Sequence, residues 1–125
     1  EIQACDWSSD VCSSDLIGNG SRIMDNTHVT GRCRIGERVF ISTGVSTAND
    51  SFFGRHGYGE ECNGPVIEDE ACIGAGAVLL PNIRIGRGSV VSAGSVVKKD
   101  VPDRVIVAGN PARIIGPVEL LLGGN

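Results

Sequence analysis

Three polar side chains, His28, Asn49 and Asp50, are the ones in this chain of 125 residues whose types best suit acid–base chemistry. A histidine titrates at about pH 6.5, so its imidazole can take a proton from an attacking hydroxyl or amine near neutral pH. An asparagine beside it can orient that nucleophile. A histidine at a solvent-facing corner is ordinarily only solvated, so the assignment depends on a fold that brings the three residues together. His56 is a second candidate base.

Small residues recur at a spacing of eighteen and suit ligand binding through exposed backbone. Residues 74–77 read GAGA, and residues 92–95 read SAGS. If the two segments lie over one another, their minimal side chains leave a groove in which an extended ligand can approach the main chain. Tight corners also need small residues, so packing alone is the alternative explanation.

Four basic residues gather near the C-terminus and suit a ligand that carries phosphates. Point charges and guanidinium groups both bind phosphate oxygens well. A solvated basic rim is the alternative for each residue taken singly. The four are Lys98, Lys99, Arg104 and Arg113.

A six-residue repeat sets the spacing of these candidates. An aliphatic residue occupies every sixth position, which we call the anchor position, and the residue four places later is small or aliphatic and never charged. Three places after the anchor, eight of the eleven frames have Gly, Asn or Asp, which accept a left-handed backbone. The anchors are Ile17, Ile23, Val29, Ile35, Ile41, Ile67, Ile73, Leu79, Ile85, Val91 and Val97.

A period of six fits neither an α-helix nor a continuous strand, but it fits a short strand followed by a corner. Three such units close a triangular coil of eighteen residues, in which the anchors stack about 4.8 Å apart. The sequence therefore predicts an all-β fold, a parallel β-helix with an aliphatic core. Residues eighteen apart come into register, so His28 is expected against Ser46, and GAGA over SAGS.

The repeat is interrupted at residues 47–66, which read TANDSFFGRHGYGEECNGPV. An insertion of this kind leaves a coil outward from a corner, and a loop of this length is usually functional or disordered. Its aromatic residues favour a functional or interface role over a mobile surface flap. We expect the β-helix over residues 17–102 with this protruding loop, and a tail over 103–125 that packs on the helix.

The first sixteen residues, EIQACDWSSDVCSSDL, have no apolar period and resemble a translated sequencing adapter, because residues 6–16 back-translate to a common short-read adapter. We expect residues 1–16 to be non-native and disordered, and the natural gene to begin upstream. Four of the 15 acidic residues and no basic residue lie there, so 11 of each remain and the net charge of −4 arises in this segment. A near-neutral body gives no electrostatic reason to expect nucleic acid or membrane as a partner.

Composition excludes several other classes. Eighteen glycines disfavour a helical bundle, and 4% aromatic against 41% hydrophobic residues requires an aliphatic core. The sequence has no apolar run of about 18 residues and no signal-like start, so we expect a soluble, cytoplasmic protein. Cys33, Cys62 and Cys72 lack CxxC spacing and are expected to be reduced thiols rather than disulfides or metal ligands.

These features together resemble the hexapeptide-repeat family, whose fold is a left-handed parallel β-helix. The segment DVPDRVIVAGNPARIIG at residues 100–116 is similar to the C-terminal signature of that family, and VVSAGSVVKKDVP before it extends the match. The resemblance covers residues 17–116. It implies the left hand of the coil, which is an exception to the usual right-handed crossover.

Members of that family are mostly acyltransferases that use acetyl-CoA or an acyl carrier, and they are typically trimers with active sites between neighbouring prisms. The resemblance therefore implies acetyl-CoA as co-substrate, a homotrimer, and backbone N–H groups in the groove as oxyanion donors. Catalytic roles for His28, Asn49 and Asp50 follow from the register of the coil, and the resemblance adds acetyl-CoA as the donor that they serve. It places CoA contacts at Ala75, Gly76, Ala93, Gly94, Lys99, Arg104 and Arg113.

The letters TAND, followed by an aromatic residue and GR, are similar to the loop of enzymes that N-acetylate nucleotide-linked amino sugars for surface polysaccharides. Sugar O-acetyltransferases of this fold usually have a histidine beside a proline there, whereas this chain has Asn49 and Asp50, which favours an amine acceptor. Three alternatives stay open: a sugar O-acetyltransferase, a non-catalytic module that trimerises a larger enzyme, and an inactive fragment. Zinc catalysis in this fold needs three histidines, so with His28 and His56 alone no metal is expected.

Overall fold

The structure is a computed structural model that describes residues 2–4, 10–11, 16–51, 55 and 63–122. Most of the regular structure in these residues is short strands, numbered here along the chain and grouped into three sheets. Face A contains β1 (Ile2–Ala4), β4 (Ser21–Ile23), β7 (Phe40–Ile41), β10 (Cys72–Ile73), β13 (Val90–Val91), β15 (Val105–Gly109) and β16 (Ala112–Pro117). Face B contains β2 (Asp10–Val11), β5 (His28–Val29), β8 (Ser46–Thr47), β11 (Val78–Leu79) and β14 (Val96–Val97). Face C contains β3 (Leu16–Ile17), β6 (Arg34–Ile35), β9 (Val66–Ile67) and β12 (Arg84–Ile85).

From β1 to β14, consecutive strands step from face to face, and neighbouring strands on the same face pair in parallel. On face A, Ile23 pairs with Ile41, Ile41 with Ile73, and Ile73 with Val91. The residues between the strands form three corners. Corner AB comprises residues 24–27, 42–45, 74–77 and 92–95; corner BC comprises 30–33, 48–65, 80–83 and 98–101; corner CA comprises 18–21, 36–39, 68–71, 86–89 and 102–104. The predicted all-β, left-handed parallel β-helix is confirmed.

The core consists of the stacked anchors and the small residues that precede the next strand. Apart from the half-buried Ile17, the predicted anchors are 5% exposed or less, and so are the residues four places after each of them. Burying an aliphatic side chain of this size contributes about 1.5–3 kcal/mol. Stacking of the coils on one another therefore supplies the main stabilisation, and Phe40 remains outside the core at 37% exposure.

The third residue after the anchor has a positive φ at each four-residue corner of the coil. The exception is Asp100, at the last corner before the tail. The predicted Gly and Asn residues at this position adopt φ values of 58–76°. Three charged residues adopt it as well: Arg32 (63°), Arg38 (56°) and Glu70 (65°). A non-glycine residue pays about 1–2 kcal/mol for this conformation, so closure of the coil overrides local preference. Asp100 differs from the expectation: its carboxylate instead accepts the Arg84 N–H at 2.9 Å.

The N-terminal residues differ from the disordered segment expected from the sequence. Residues 2–4 pair with β4, residues 10–11 pair with β5, and β3 pairs with β6, all in parallel. The physical reason is that the exposed edge of a sheet offers a row of unpaired N–H and C=O groups to any extended segment. The non-native origin of residues 1–16 stays a prediction.

The loop has slightly different bounds from those predicted, and the tail continues face A. Strand β8 includes Thr47 and β9 includes Val66, so the connection is residues 48–65. In the tail, β15 extends face A beside β13, β16 folds back antiparallel to β15, and a short helix α1 (Glu119–Leu122) follows. No helix among the described residues has the length and apolar character needed to cross a membrane.

Corner CA carries a series of exposed ion pairs. Arg38 lies 3.3 Å from Glu70, and Arg87 lies 3.8 Å from the same carboxylate. From the neighbouring face, Arg84 contacts both Glu68 and Asp103 at 3.0 Å. Exposed ion pairs of this kind contribute about 0–1 kcal/mol each to the free energy of unfolding. They join side chains of adjacent coils but add little to stability.

Asp103 provides a pH-dependent contribution to stability. Its carboxylate accepts hydrogen bonds from the Arg87 backbone N–H at 2.8 Å and from the Arg84 guanidinium at 3.0 Å. Both bonds hold the pKa of Asp103 below its usual value, and the bond from the Arg87 backbone has the larger effect. A carboxyl group with a lowered folded-state pKa stabilises the fold above its unfolded pKa of about 3.9 and loses that effect as the pH falls through the folded value.

We therefore expect Asp103→Asn to lower stability near neutral pH and to flatten the loss of stability below about pH 4. Urea unfolding midpoints, measured at intervals from about pH 7 down to about pH 2, test this expectation. An acid limb that is identical in the variant and the wild type would contradict it.

Candidate active site

His28 lies on the outward side of β5, with its side chain exposed on face B. It pairs with Ser46 of β8, and Ser46 pairs with Val78, which pairs with Val96. The predicted register of His28 and Ser46 is confirmed. Since coils are spaced about 4.8 Å apart, this outward column places His28 about 10 Å from Val78.

Asn49 and Asp50 begin the loop at corner BC, immediately after β8. The Asn49 Nδ2 atom donates to the carbonyl oxygen of Gly31 at 3.0 Å, which ties the start of the loop to the corner that follows His28. Both Asn49 and Asp50 are half-buried. The structure thus places His28 on face B and Asn49 and Asp50 at the adjacent corner BC, with Asn49 bound three residues after His28. His56 lies outside the described residues.

Thr47 is a residue at this site that the sequence analysis missed. It occupies the anchor position six residues after Ile41, points into the core and is 7% exposed. Its hydroxyl donates to the carbonyl oxygen of His28 at 3.0 Å and accepts the N–H of Thr30 at 2.7 Å. The sequence contained a signal for it, because Thr47 lies six residues after Ile41 at an anchor position and is polar where the other anchors are aliphatic.

The small residues at corner AB serve two different purposes. A Cβ on Gly74 would lie 2.5 Å from the Ala93 nitrogen, so Gly74 is required by packing between coils. A Cβ on Gly76 or Gly94 would meet no atom within 4 Å, so the backbone there is open to a ligand. The predicted stacking of GAGA over SAGS is confirmed.

The N–H groups of this open corner are largely used by the coil itself. The Gly76 N–H donates to the Thr43 carbonyl at 3.0 Å, and the Gly94 N–H donates to the Ala75 carbonyl at 2.9 Å. These two groups therefore do not serve as the oxyanion donors that the resemblance implied. Exposed Ala75 and Ala93 leave room for a ligand beside them.

The four basic residues predicted as one group are separated by the structure. Lys98, Lys99 and Arg113 line a small cavity of about 180 Å³ where corner BC meets the tail. Arg104 lies at corner CA, and its guanidinium contacts Glu119 at 3.1 Å. Arg104 does not line this cavity, since residues on consecutive corners face different sides of the prism, and its contact with CoA stays a prediction.

Neither a metal site nor a thiol nucleophile is indicated by the described residues. Across the described ranges, no three His, Cys, Asp or Glu side chains converge as a metal site. Cys72 is distant from His28, on face A, and partial burial raises the pKa of its thiol, which disfavours the thiolate nucleophile. The Cys33 thiol donates to the Pro65 carbonyl at 3.1 Å, which holds the end of the loop.

Fold and site together define a hexapeptide-repeat β-helix protein with a loop at one corner and a capping tail. The model of the family described as bacterial transferase hexapeptide (six repeats) matches residues 16–49 and 64–99, which is more than half of the chain. The chain therefore belongs to this family.

Curated relatives are named acetyltransferases. The chain is 59% identical over 54 residues to 2,3,4,5-tetrahydropyridine-2,6-dicarboxylate N-acetyltransferase of Clostridium perfringens, a match that covers 43% of this chain and 23% of the relative. It is 40% identical over 110 residues to serine acetyltransferase 4 of Arabidopsis thaliana, covering 88% of this chain and 30% of the relative. The chain thus spans less than a third of the length of these two relatives.

Solved structures show the same fold. Serine acetyltransferase of Neisseria gonorrhoeae superposes with a TM-score of 0.78 at 29% identity, over 88% of this chain and 41% of that one. A serine acetyltransferase in complex with CoA gives 0.72 at 30% identity, over 85% and 41%. The H141N variant of perosamine N-acetyltransferase from Caulobacter crescentus, in complex with CoA and GDP-perosamine, gives 0.62 at 26% identity, over 87% and 54%.

Proposed function

We propose that the chain is the catalytic coil of an acetyltransferase that moves an acetyl group from acetyl-CoA to an amine. The observation that carries the proposal is the position of His28 on face B, between corner BC, where Asn49 binds Gly31, and the strands that follow the open backbone of Gly76 and Gly94. Named relatives with acetyltransferase activity support the same reaction class.

In the proposed reaction, the amine nitrogen attacks the thioester carbonyl. A C–N bond forms, the C–S bond breaks, and CoA leaves as the thiol. His28 takes the proton that the amine loses and returns it to the departing thiolate, and a positioned base of this kind contributes about 10²–10⁴-fold to such reactions. Asn49 orients the nucleophile, because its side-chain amide is held in place by the hydrogen bond to the Gly31 carbonyl.

The donor site extends from corner AB across face B to the tail. Open backbone at Gly76 and Gly94, beside Ala75 and Ala93, fits the thin extended arm of CoA. Lys99 and Arg113, together with Lys98, supply positive charge for its phosphates. The solved complex of a related serine acetyltransferase with CoA supports this choice of donor.

A nucleotide-linked amino sugar is the acceptor that we propose, with a role in surface polysaccharide synthesis. The resemblance of the TAND segment to the loop of amino-sugar N-acetyltransferases supports it, and so does the fold of perosamine N-acetyltransferase with bound GDP-perosamine. We further propose a cytoplasmic homotrimer in which neighbouring prisms complete each site, as the family resemblance implies.

Serine is the second candidate acceptor. Serine acetyltransferase 4 aligns over 110 residues, 88% of this chain, so the match includes both the coil and the tail. Serine is far smaller than a nucleotide sugar, and the two acceptors therefore make different demands on the region around the loop.

Release of CoA thiol from acetyl-CoA, followed with a thiol-reactive dye, tests the function on the full chain. UDP-, dTDP- and GDP-linked amino sugars, and serine, serve as alternative acceptors. Turnover with an amino sugar supports the proposal. Turnover with serine alone would show that serine, and not an amino sugar, is the acceptor. The absence of both turnover and CoA binding would favour a non-catalytic trimerising module.

A larger side chain at corner AB should block the donor. Ala93→Leu fills the space beside Gly94, and we expect the affinity for CoA to fall about tenfold or more, which is about 1.4 kcal/mol. Isothermal titration calorimetry with CoA measures the effect. Arg87→Leu alters the equivalent position of the repeat at corner CA and provides the matched control, so an equal loss in both variants would contradict the assignment.

A further inference from the structure

Thr47 is a polar residue within an otherwise aliphatic column. The inward residues of face B from β5 to β14 are Val29, Thr47, Leu79 and Val97, and all four are buried. A threonine and a valine have nearly the same shape, so packing alone does not require the hydroxyl. The hydroxyl therefore has a purpose other than filling space.

The Thr47 hydroxyl replaces a backbone bond of the coil. In neighbouring coils, the amide after an anchor donates to the carbonyl of the anchor one coil later, as Met24 does to Ile41 at 3.0 Å and Ser42 does to Ile73 at 2.9 Å. At Thr30 the acceptor is instead the Thr47 Oγ1 atom at 2.7 Å. Accordingly, β5 and β8 pair through His28 and Ser46 alone.

The same hydroxyl reaches the residue that carries the imidazole. It donates to the carbonyl oxygen of His28 at 3.0 Å, so one side chain bridges the backbone on both sides of Val29. Two residues later, Asn49 binds the Gly31 carbonyl. Thr47 at the end of β8 and Asn49 at the start of the loop thus hold residues 28–31 by two side chains.

We propose that Thr47 is a positioning residue, which sets the backbone of His28 and thereby fixes the imidazole relative to the start of the loop. This inference rests on the proposed function, because that function gives His28 its catalytic role. Thr47 does not touch substrate in this assignment, and it acts through His28 and Thr30.

Ser21 provides a matched comparison on another corner. Its hydroxyl donates to the Gly36 carbonyl at 2.7 Å and accepts the Val39 N–H at 3.1 Å, so it bridges adjacent coils in the same manner. Ser21 is fully buried at corner CA, away from His28 and the loop. If the Thr47 hydroxyl is only structural, its removal should therefore affect kcat no more than removal of the Ser21 hydroxyl does.

The test compares Thr47→Val, Thr47→Ser and Ser21→Ala in the full chain. For Thr47→Val we expect kcat to fall about 10- to 100-fold with the KM for acetyl-CoA nearly unchanged, since small displacements of a catalytic group have effects of this size. Thr47→Ser keeps the hydroxyl and should restore kcat to within about threefold of wild type. Ser21→Ala should lower the unfolding midpoint while leaving kcat within about twofold.

A second readout is independent of activity. The imidazole signals of His28 in a proton–carbon correlation spectrum should shift in Thr47→Val and not in Ser21→Ala. Unchanged signals in Thr47→Val, or an equal loss of kcat in Ser21→Ala, would overturn the positioning role. If the wild-type chain transfers no acetyl group, the proposed function fails, and the imidazole signals alone decide whether Thr47 positions His28.

Discussion

Replacing His28 by alanine should reduce kcat for acetyl transfer by about 10²–10⁴-fold, because the attacking amine then loses the group that accepts its proton. The side chain is exposed on face B and lies outside the buried aliphatic core. The unfolding midpoint should therefore stay near that of the wild type. Initial rates with acetyl-CoA and a nucleotide-linked amino sugar measure the loss.

Arg22→Ala is the matched control for this prediction. Arg22 occupies the same outward place one repeat earlier, on face A, and is also exposed. Its loss should leave kcat within about twofold of wild type. If His28→Ala turns over as fast as Arg22→Ala, then His28 is a solvated surface histidine and the catalytic assignment is wrong.

Gly74→Ala should destabilise the fold by about 3 kcal/mol or more, since a new Cβ would overlap backbone rather than a side chain that can move. The added atom would lie 2.5 Å from the Ala93 nitrogen and 2.8 Å from both the Ser92 carbonyl carbon and the Val91 carbonyl oxygen. The two coils would have to separate to admit it. Urea unfolding followed by circular dichroism gives the change in the free energy of unfolding.

Gly76→Ala, two residues away, separates packing from backbone conformation. Its new Cβ would meet nothing within 4 Å, but its φ of +71° is unfavourable for alanine, so we expect a cost of about 1–2 kcal/mol. A loss for Gly74→Ala no larger than that for Gly76→Ala would show that the coils are not tightly packed at corner AB.

Most of the fold was predictable from the sequence because one period specifies both local and long-range structure. A six-residue spacing sets the strand, the corner and, through three repeats, the partner of each strand. This is why the pairing of His28 with Ser46 followed from counting. Repeat proteins in which each unit contacts only its neighbours allow such reasoning over the whole stack.

Features that depart from the period could not be obtained in this way. Arg104 was grouped with the other basic residues by sequence proximity, whereas corner CA directs it toward Glu119. Thr47 was assigned to the interruption at residues 47–66, although it continues the six-residue frame and its hydroxyl is satisfied inside the coil. Arg32, Arg38 and Glu70 adopt positive φ because the coil must close there, a constraint that local propensity does not contain.

The uniform rise of the coils makes the prism a molecular ruler. From His28 the outward column reaches Val96 in three steps, which is about 14 Å, and each further coil of eighteen residues would add about 4.8 Å. A ligand that bound both the loop and the tail would have to match this length, which changes only in steps of one coil. Adding or removing one coil between the loop and the tail would change that length while leaving the geometry at either end intact.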